Sequence, residues 1–156
     1  MTLTETFALV SFSLFSYADL RYRLVPGIEV FLFGTILLTF PATPIQTGIV
    51  LLACLWGIFR NLSGWFAIPL LFYPPVWPVL FTGYGYRKSI IGRADLLAIS
   101  GLAYLFPLPA VLLSLLGLEL WRRLWVRRQH GDIPALPGLL LGLIVYLLLR
   151  LFLPTP

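Results

Sequence analysis

The chain has 156 residues, 60% of them hydrophobic and 11% charged, with a mean hydropathy of +0.95. That balance excludes an ordinary soluble domain and predicts an integral membrane protein with hardly any extramembrane part. Net charge is +5, but Arg122, Arg123, Arg127 and Arg128 stand together in WRRLWVRRQHGD between two apolar runs, where the positive-inside rule accounts for them, anionic lipid contact is an addition, and no nucleic-acid partner is expected. The single cysteine, Cys54, lies within an apolar run, which excludes an intrachain disulfide and a cysteine-based zinc cluster.

In chain order, the first apolar segment is 2–18. It lacks a basic n-region, carries Glu5, and has no small-x-small pattern before Asp19, so it reads as a retained first span and not as a cleaved signal. Arg21 and Arg23 follow it. The next runs, 26–40 and 44–60, are joined by the uncharged PATPIQT, and Arg60 closes the second; this charge pattern puts the N-terminus outside and the Asp19 loop in the cytoplasm.

The stretch 62–81 holds Pro69, Pro74, Pro75 and Pro78, which interrupt helical hydrogen bonding repeatedly and predict a re-entrant or interfacial segment. The loop GYGYRKSIIGRAD then returns Arg87, Lys88 and Arg93 to the cytoplasmic face. Pro107 and Pro109 divide the apolar run 94–121, which is either one long kinked span or a tight hairpin of 95–106 and 108–121. The hairpin keeps the basic loop inside and is preferred. A last span covers 134–153. Several of these spans are shorter than the usual crossing length. The expected fold is therefore an all-α membrane protein, a polytopic bundle of about six transmembrane helices with a proline-rich re-entrant or interfacial segment, forming one domain over 1–156.

Six acidic residues are present: Glu5, Asp19, Glu29, Asp95, Glu119 and Asp132. Histidine-dependent triads and metal schemes would have to use the sole histidine, His130, which reads as a solvated loop residue. Glu29 and Glu119 lie near span ends, and Asp132 precedes Ile133-Pro134 as a helix cap. Asp19 and Asp95 remain, each at a cytoplasmic helix boundary. Two neighbouring carboxylates cannot both ionise easily, so one can serve as a general acid while the other takes a proton from water. The plain alternative is that each caps a helix or pairs with an arginine.

The segment YADLRYRLVPG, residues 17–27, resembles the first catalytic motif of the type IV prepilin peptidases and archaeal preflagellin peptidases, an aspartate followed by basic residues and an apolar-Pro pair. GRADLLAISGLAYLFPLP, residues 92–109, looks like their second motif, a G-x-G-D-type turn opening a helix. HGDIPALPGLLLGL, residues 130–143, is similar to the proline-rich start of their last span. The resemblance runs in order over nearly the whole chain. Departures are Ala94 at the second glycine, Leu96 and Leu97 where a lysine often follows, Gly27 where asparagine is usual, and the insertion at 62–81, which reads as a membrane-embedded lid.

The resemblance implies that Asp19 and Asp95 are the catalytic pair, with Arg21 and Pro26 in the first motif and Gly92 permitting a tight backbone approach for Asp95. It implies an aspartic endopeptidase that removes the short basic leader of prepilin-like or preflagellin-like precursors at the cytoplasmic face of a prokaryotic inner membrane. Precursor and lipids are its expected partners. No metal or organic cofactor is expected, and the methyltransferase activity of larger members is not. A basic leader meets Arg21, Arg23 and Arg93, so hydrophobic packing of the precursor helix is the expected source of affinity, with Glu29 or Asp132 a weak aid. The rival class is a non-enzymatic membrane subunit or small transporter with structural aspartates.

Overall fold

The computed structural model describes residues 2–23, 25, 27–29, 31, 35, 44–59, 61–128 and 133–152, with Arg127 and Arg128 described by their backbone. Most of the expected span 26–40 lies outside the described residues, as do Pro26, Arg60, His130 and Asp132. The described residues form α1 (Leu3–Tyr22), α2 (Pro44–Ile58), α3 (Trp77–Arg87), α4 (Arg93–Leu105), α5 (Leu108–Arg128) and α6 (Leu136–Phe152), and no strand is found among them. They group into two compact units, Met1–Pro26 with Pro109–Pro156, and Gly27–Leu108.

In the first unit α1 begins with a reciprocal cap. The Glu5 N–H donates to Thr2 Oγ1 at 3.2 Å and the Thr2 N–H donates to Glu5 Oε2 at 2.8 Å, which satisfies two donors that a helix start leaves open. Its buried residues, Glu5, Ala8, Phe12 and Ser16, recur at helical spacing and pack on α6, whose own buried stripe is Leu136, Leu139, Leu143 and Leu147. The two helices run antiparallel, because Glu5 at the start of α1 pairs with Arg150 at the end of α6, and Asp19 near the end of α1 meets Leu136 at the start of α6. On α5 and α6 the glycines set the spacing. A Cβ on Gly142 would meet the Leu113 carbonyl and Ser114 Cα, the latter at 2.5 Å, and one on Gly138 would lie 2.6 Å from Leu118 Cα. Gly138 and Gly142 thus form the small-xxx-small pattern that lets two helix backbones touch.

In the second unit α4 is the central helix: Leu96 through Tyr104 are all buried, as expected of a helix that is apolar on every side. Its neighbours α2 and α3 also approach through glycine, with a Cβ on Gly57 only 2.9 Å from Gly83 Cα. The buried Tyr104 hydroxyl accepts from Thr47 Oγ1 at 2.6 Å, and its carbonyl accepts from Gln46 Nε2 at 3.2 Å. From the start of this unit, Ile28, Phe31 and Thr35 are buried at helical spacing.

Several expected boundaries move. Helix α1 continues through Asp19 to Tyr22 and stops where Arg23 takes a left-handed conformation, φ 56°. The expected loop after residue 81 is helical as far as Arg87, so the polar connection shortens to 88–92. Helix α5 does not end at 121 but carries the arginine cluster to Arg128; Glu119 paired at 2.8 Å with both Arg122 and Arg123, one turn further on, supports that extension. The break expected at Pro107 is present between α4 and α5. The proline-rich stretch forms three short 3-10 turns, Gly64–Ala67, Pro69–Phe72 and Pro74–Val76, before α3. Among the described residues no helix is long and apolar enough to cross a membrane. Helix α1 carries Glu5, Asp19 and Arg21, α5 carries Glu119 and four arginines, and the apolar α6 has 17 residues.

Candidate functional site

Asp19 lies one residue past the first apolar run, in the last turns of α1. Its carbonyl accepts the Arg23 N–H at 3.2 Å, which closes the helix. Its carboxylate Oδ2 accepts the Leu136 N–H at 3.1 Å, so Asp19 occupies the anion position at the start of α6, where exposed N–H groups favour negative charge. Burial pushes the Asp19 carboxyl above its ordinary value, against the lowering effect of the Leu136 N–H, the Arg23 charge and the Ala135 N–H. Arg23 is held nearby with its guanidinium 5.0 Å from the Trp125 ring centroid, and Trp125 stacks beside Trp121 at 5.8 Å. Arg21 lies 5.8 Å from the Tyr22 ring and is exposed.

Asp95 lies in the first turn of α4, and its Oδ2 accepts the Gly92 N–H at 3.3 Å. That is one half of a capping box, since glycine has no side chain to return the bond. Beside it Arg93 pairs with Glu29 at 3.3 Å, both half exposed, so Glu29 is engaged by a basic residue of the chain itself. Gly92 has φ −75° and ψ 159°, a conformation open to any residue, and a Cβ there would meet only the Asp95 carboxylate, at 3.4 Å. The tight approach expected of Gly92 is not required by the backbone described. Gly27 is different: its φ is +80°, in the region where glycine and asparagine are the residues most at ease.

Asp19 and Arg21 thus fall in the first unit, and Asp95 and Gly92 in the second; each carboxylate is described within its own unit. Pro26 lies outside the described residues. Among the described residues no three His, Cys, Asp or Glu side chains gather to hold a metal ion. Cys54 is buried and free.

No protein-family model, curated protein or solved structure matches this chain.

Sequence reasoning missed the long-range roles of acidic residues. The Glu5–Arg150 pair and the Asp19 cap on α6 join the two ends of one helix pair, and neither has a local signal. The Thr2-x-x-Glu5 pattern was available as a capping box. The Glu119 pairs with Arg122 and Arg123 could also have been found, from their i,i+3 and i,i+4 spacing.

Proposed function

We propose that the chain is a multi-pass membrane aspartic endopeptidase that removes the short basic leader from prepilin-like or preflagellin-like precursors at the cytoplasmic face, with Asp19 and Asp95 as the carboxyl pair. The observation that carries this reading is Asp19: a partly buried carboxyl at a helix end, pushed toward its protonated form, within a motif that resembles the first catalytic motif of that family. Asp95, at the opening of α4 within the second motif, supplies the carboxylate. In the proposed reaction the ionised carboxyl takes a proton from water, the water oxygen attacks the peptide carbonyl, and the protonated carboxyl gives its proton toward the departing amine.

Membrane residence is part of the proposal. It is supported by the composition and by the large apolar side chains that face outward, among them Leu14 on α1, Phe81 on α3 and Leu151 and Phe152 on α6, which a lipid surround would cover. The peptidase reading needs no metal or organic cofactor and no methyl transfer.

A second reading is favoured by a specific observation. Both aspartates accept backbone N–H groups at helix starts, which is what structural caps in a non-enzymatic membrane subunit would do. Cleavage of a panel of prepilin-type leaders in detergent or liposomes by wild type, Asp19→Asn and Asp95→Asn separates the two. Processing by the wild type, lost in both variants, supports the dyad. A wild type that cleaves nothing, or a variant with full activity, favours the caps.

A further inference from the structure

The proline-rich segment and the end of α3 together border a cavity of about 340 Å³ lined by Trp56, Gly64, Tyr84, Arg87 and Lys88. Aromatic rings lie beside both of its cations, and a backbone carbonyl holds Arg87. The Arg87 guanidinium lies 4.7 Å from the centroid of the Trp56 ring, and its Nη2 donates to the Leu62 carbonyl at 2.7 Å. Trp56 is itself held by its indole N–H on the Ser63 carbonyl at 3.2 Å. The Lys88 ammonium lies 5.8 Å from the Tyr84 ring centroid. The residues lining this cavity carry two positive charges and no carboxylate.

The segment beside the cavity is apolar and turned outward. Trp65 is 80% exposed and Phe72 86%. Pro69, Pro74 and Pro75 and three separate 3-10 turns break the backbone ladder ahead of α3, so the segment is unsuited to the hydrocarbon core but suited to the headgroup layer. Aromatic side chains at the surface with cations beside them are the signature of that layer.

We infer that this cavity receives the phosphate of an anionic phospholipid, held by Arg87 and Lys88, while Trp65, Phe72 and their neighbours in the proline-rich segment seat in the acyl-headgroup boundary. The insertion is then an interfacial anchor of the second unit. A free phosphate would match the cations but leave the outward aromatic side chains in water, which is why the lipid is the favoured occupant. The inference rests on the membrane part of the proposed function and is independent of peptide cleavage.

The test titrates the full chain, in maltoside micelles, with tail-brominated short-chain phosphatidylglycerol or phosphatidylcholine and follows quenching of tryptophan fluorescence. The expected result is saturable quenching at roughly tenfold lower concentration for phosphatidylglycerol, since each cation near an anionic headgroup contributes severalfold. Lys88→Gln lowers that ratio severalfold and Arg87→Gln/Lys88→Gln abolishes it, whereas Arg122→Gln/Arg123→Gln keeps it. If loss of the Leu62 contact unfolds the double variant, seen by circular dichroism, exposed Lys88→Gln alone decides. Equal half-saturation for the two lipids, full selectivity in Lys88→Gln, or loss of selectivity through Arg122 and Arg123 overturns the inference. So does displacement of the lipid by inorganic phosphate, which would make the cavity a small-anion site. A chain that cleaves leaders without lipid preference loses this inference alone, and one with lipid preference but no cleavage loses the peptidase reading alone.

Discussion

An asparagine at position 19 keeps an oxygen able to accept the Leu136 N–H but carries no titrating proton, and an alanine keeps neither. Cap and acid therefore separate at this residue. Asp19→Ala is expected to lower unfolding stability by about 1 kcal/mol through the lost helix cap, and Asp19→Asn by less; both abolish leader cleavage if the carboxyl belongs to the dyad. The pH dependence has a definite sign. Burial raises the Asp19 carboxyl above its ordinary value, so the folded state favours the protonated form. The stability it lends is whole below the ordinary carboxylate range and is lost as pH rises through the folded-state value. Thermal midpoints of wild type and Asp19→Asn, measured in detergent across the acidic range, should lie closest at the bottom of that range, where the protonated carboxyl resembles the amide, and separate as pH rises; midpoints that separate toward low pH would show the sign to be wrong. The expected pattern is a wild type that loses stability with rising pH relative to the asparagine variant. Gly92 offers a complementary comparison. Because its backbone is open to any residue and a Cβ would make ordinary contact, Gly92→Ala should change stability by no more than about 0.5 kcal/mol. Lost cleavage in a variant of unchanged midpoint would give Gly92 a part in the chemistry.

At the scale of elements, close glycine contacts and end-to-end polar links decide which helices pair. Gly142→Ala places a methyl group against the α5 backbone at Leu113 and Ser114, where no flexible side chain can yield. It is expected to cost about 1–3 kcal/mol despite the better helix propensity of alanine, while Gly64→Ala, which meets nothing within 4 Å, should leave the midpoint unchanged. The α1–α6 pair is also joined by Glu5 and Arg150, with the Glu5 side chain 11% and the Arg150 side chain 49% exposed. A double-mutant cycle with Glu5→Gln and Arg150→Gln should give a coupling of about 1 kcal/mol, discounted for the exposed arginine; a coupling near zero would remove the pair from the account of this helix packing. The sequence signals divide along the same line. Apolar runs and prolines located α2, the break at Pro107 and the start of α6, because those signals are local. They placed the ends of α1, α3 and α5 too early, because polar residues that continue a helix past its apolar stretch look like loop. The extension of α5 had a local mark in Glu119 with Arg122 and Arg123. The Asp19 cap on α6 had none, since it spans 117 positions.

For the whole molecule, the peptidase reading makes a claim about sidedness that charge alone suggested and that the helices sharpen. The expected loop of Arg87, Lys88 and Arg93 is partly helix: Arg87 and Lys88 close α3, Arg93 opens α4 two residues before Asp95, and only 88–92 connect them. On the proposed membrane reading, the side on which this short connection lies is the side of Asp95, and the positive-inside rule would put Arg21 and Arg23, with Asp19, on the cytoplasmic side. A dyad requires one side for both. Ser89 is exposed in this connection, and its left-handed backbone, φ 60°, is no less open to cysteine than to serine. In a Cys54→Ser background, Ser89→Cys should be labelled by a membrane-impermeant maleimide only after inverted vesicles expose the cytoplasmic face, as should Tyr22→Cys beside the first aspartate. Labelling of both from that face leaves the carboxylates free to act together, and the cleavage assay then decides whether they do. Labelling of Ser89→Cys from the outer face alone, with Tyr22→Cys labelled from the inner, would put a bilayer between the two carboxylates. The resemblance to a peptidase would then stop at its motifs, and each aspartate would be left with the helix start that it already caps.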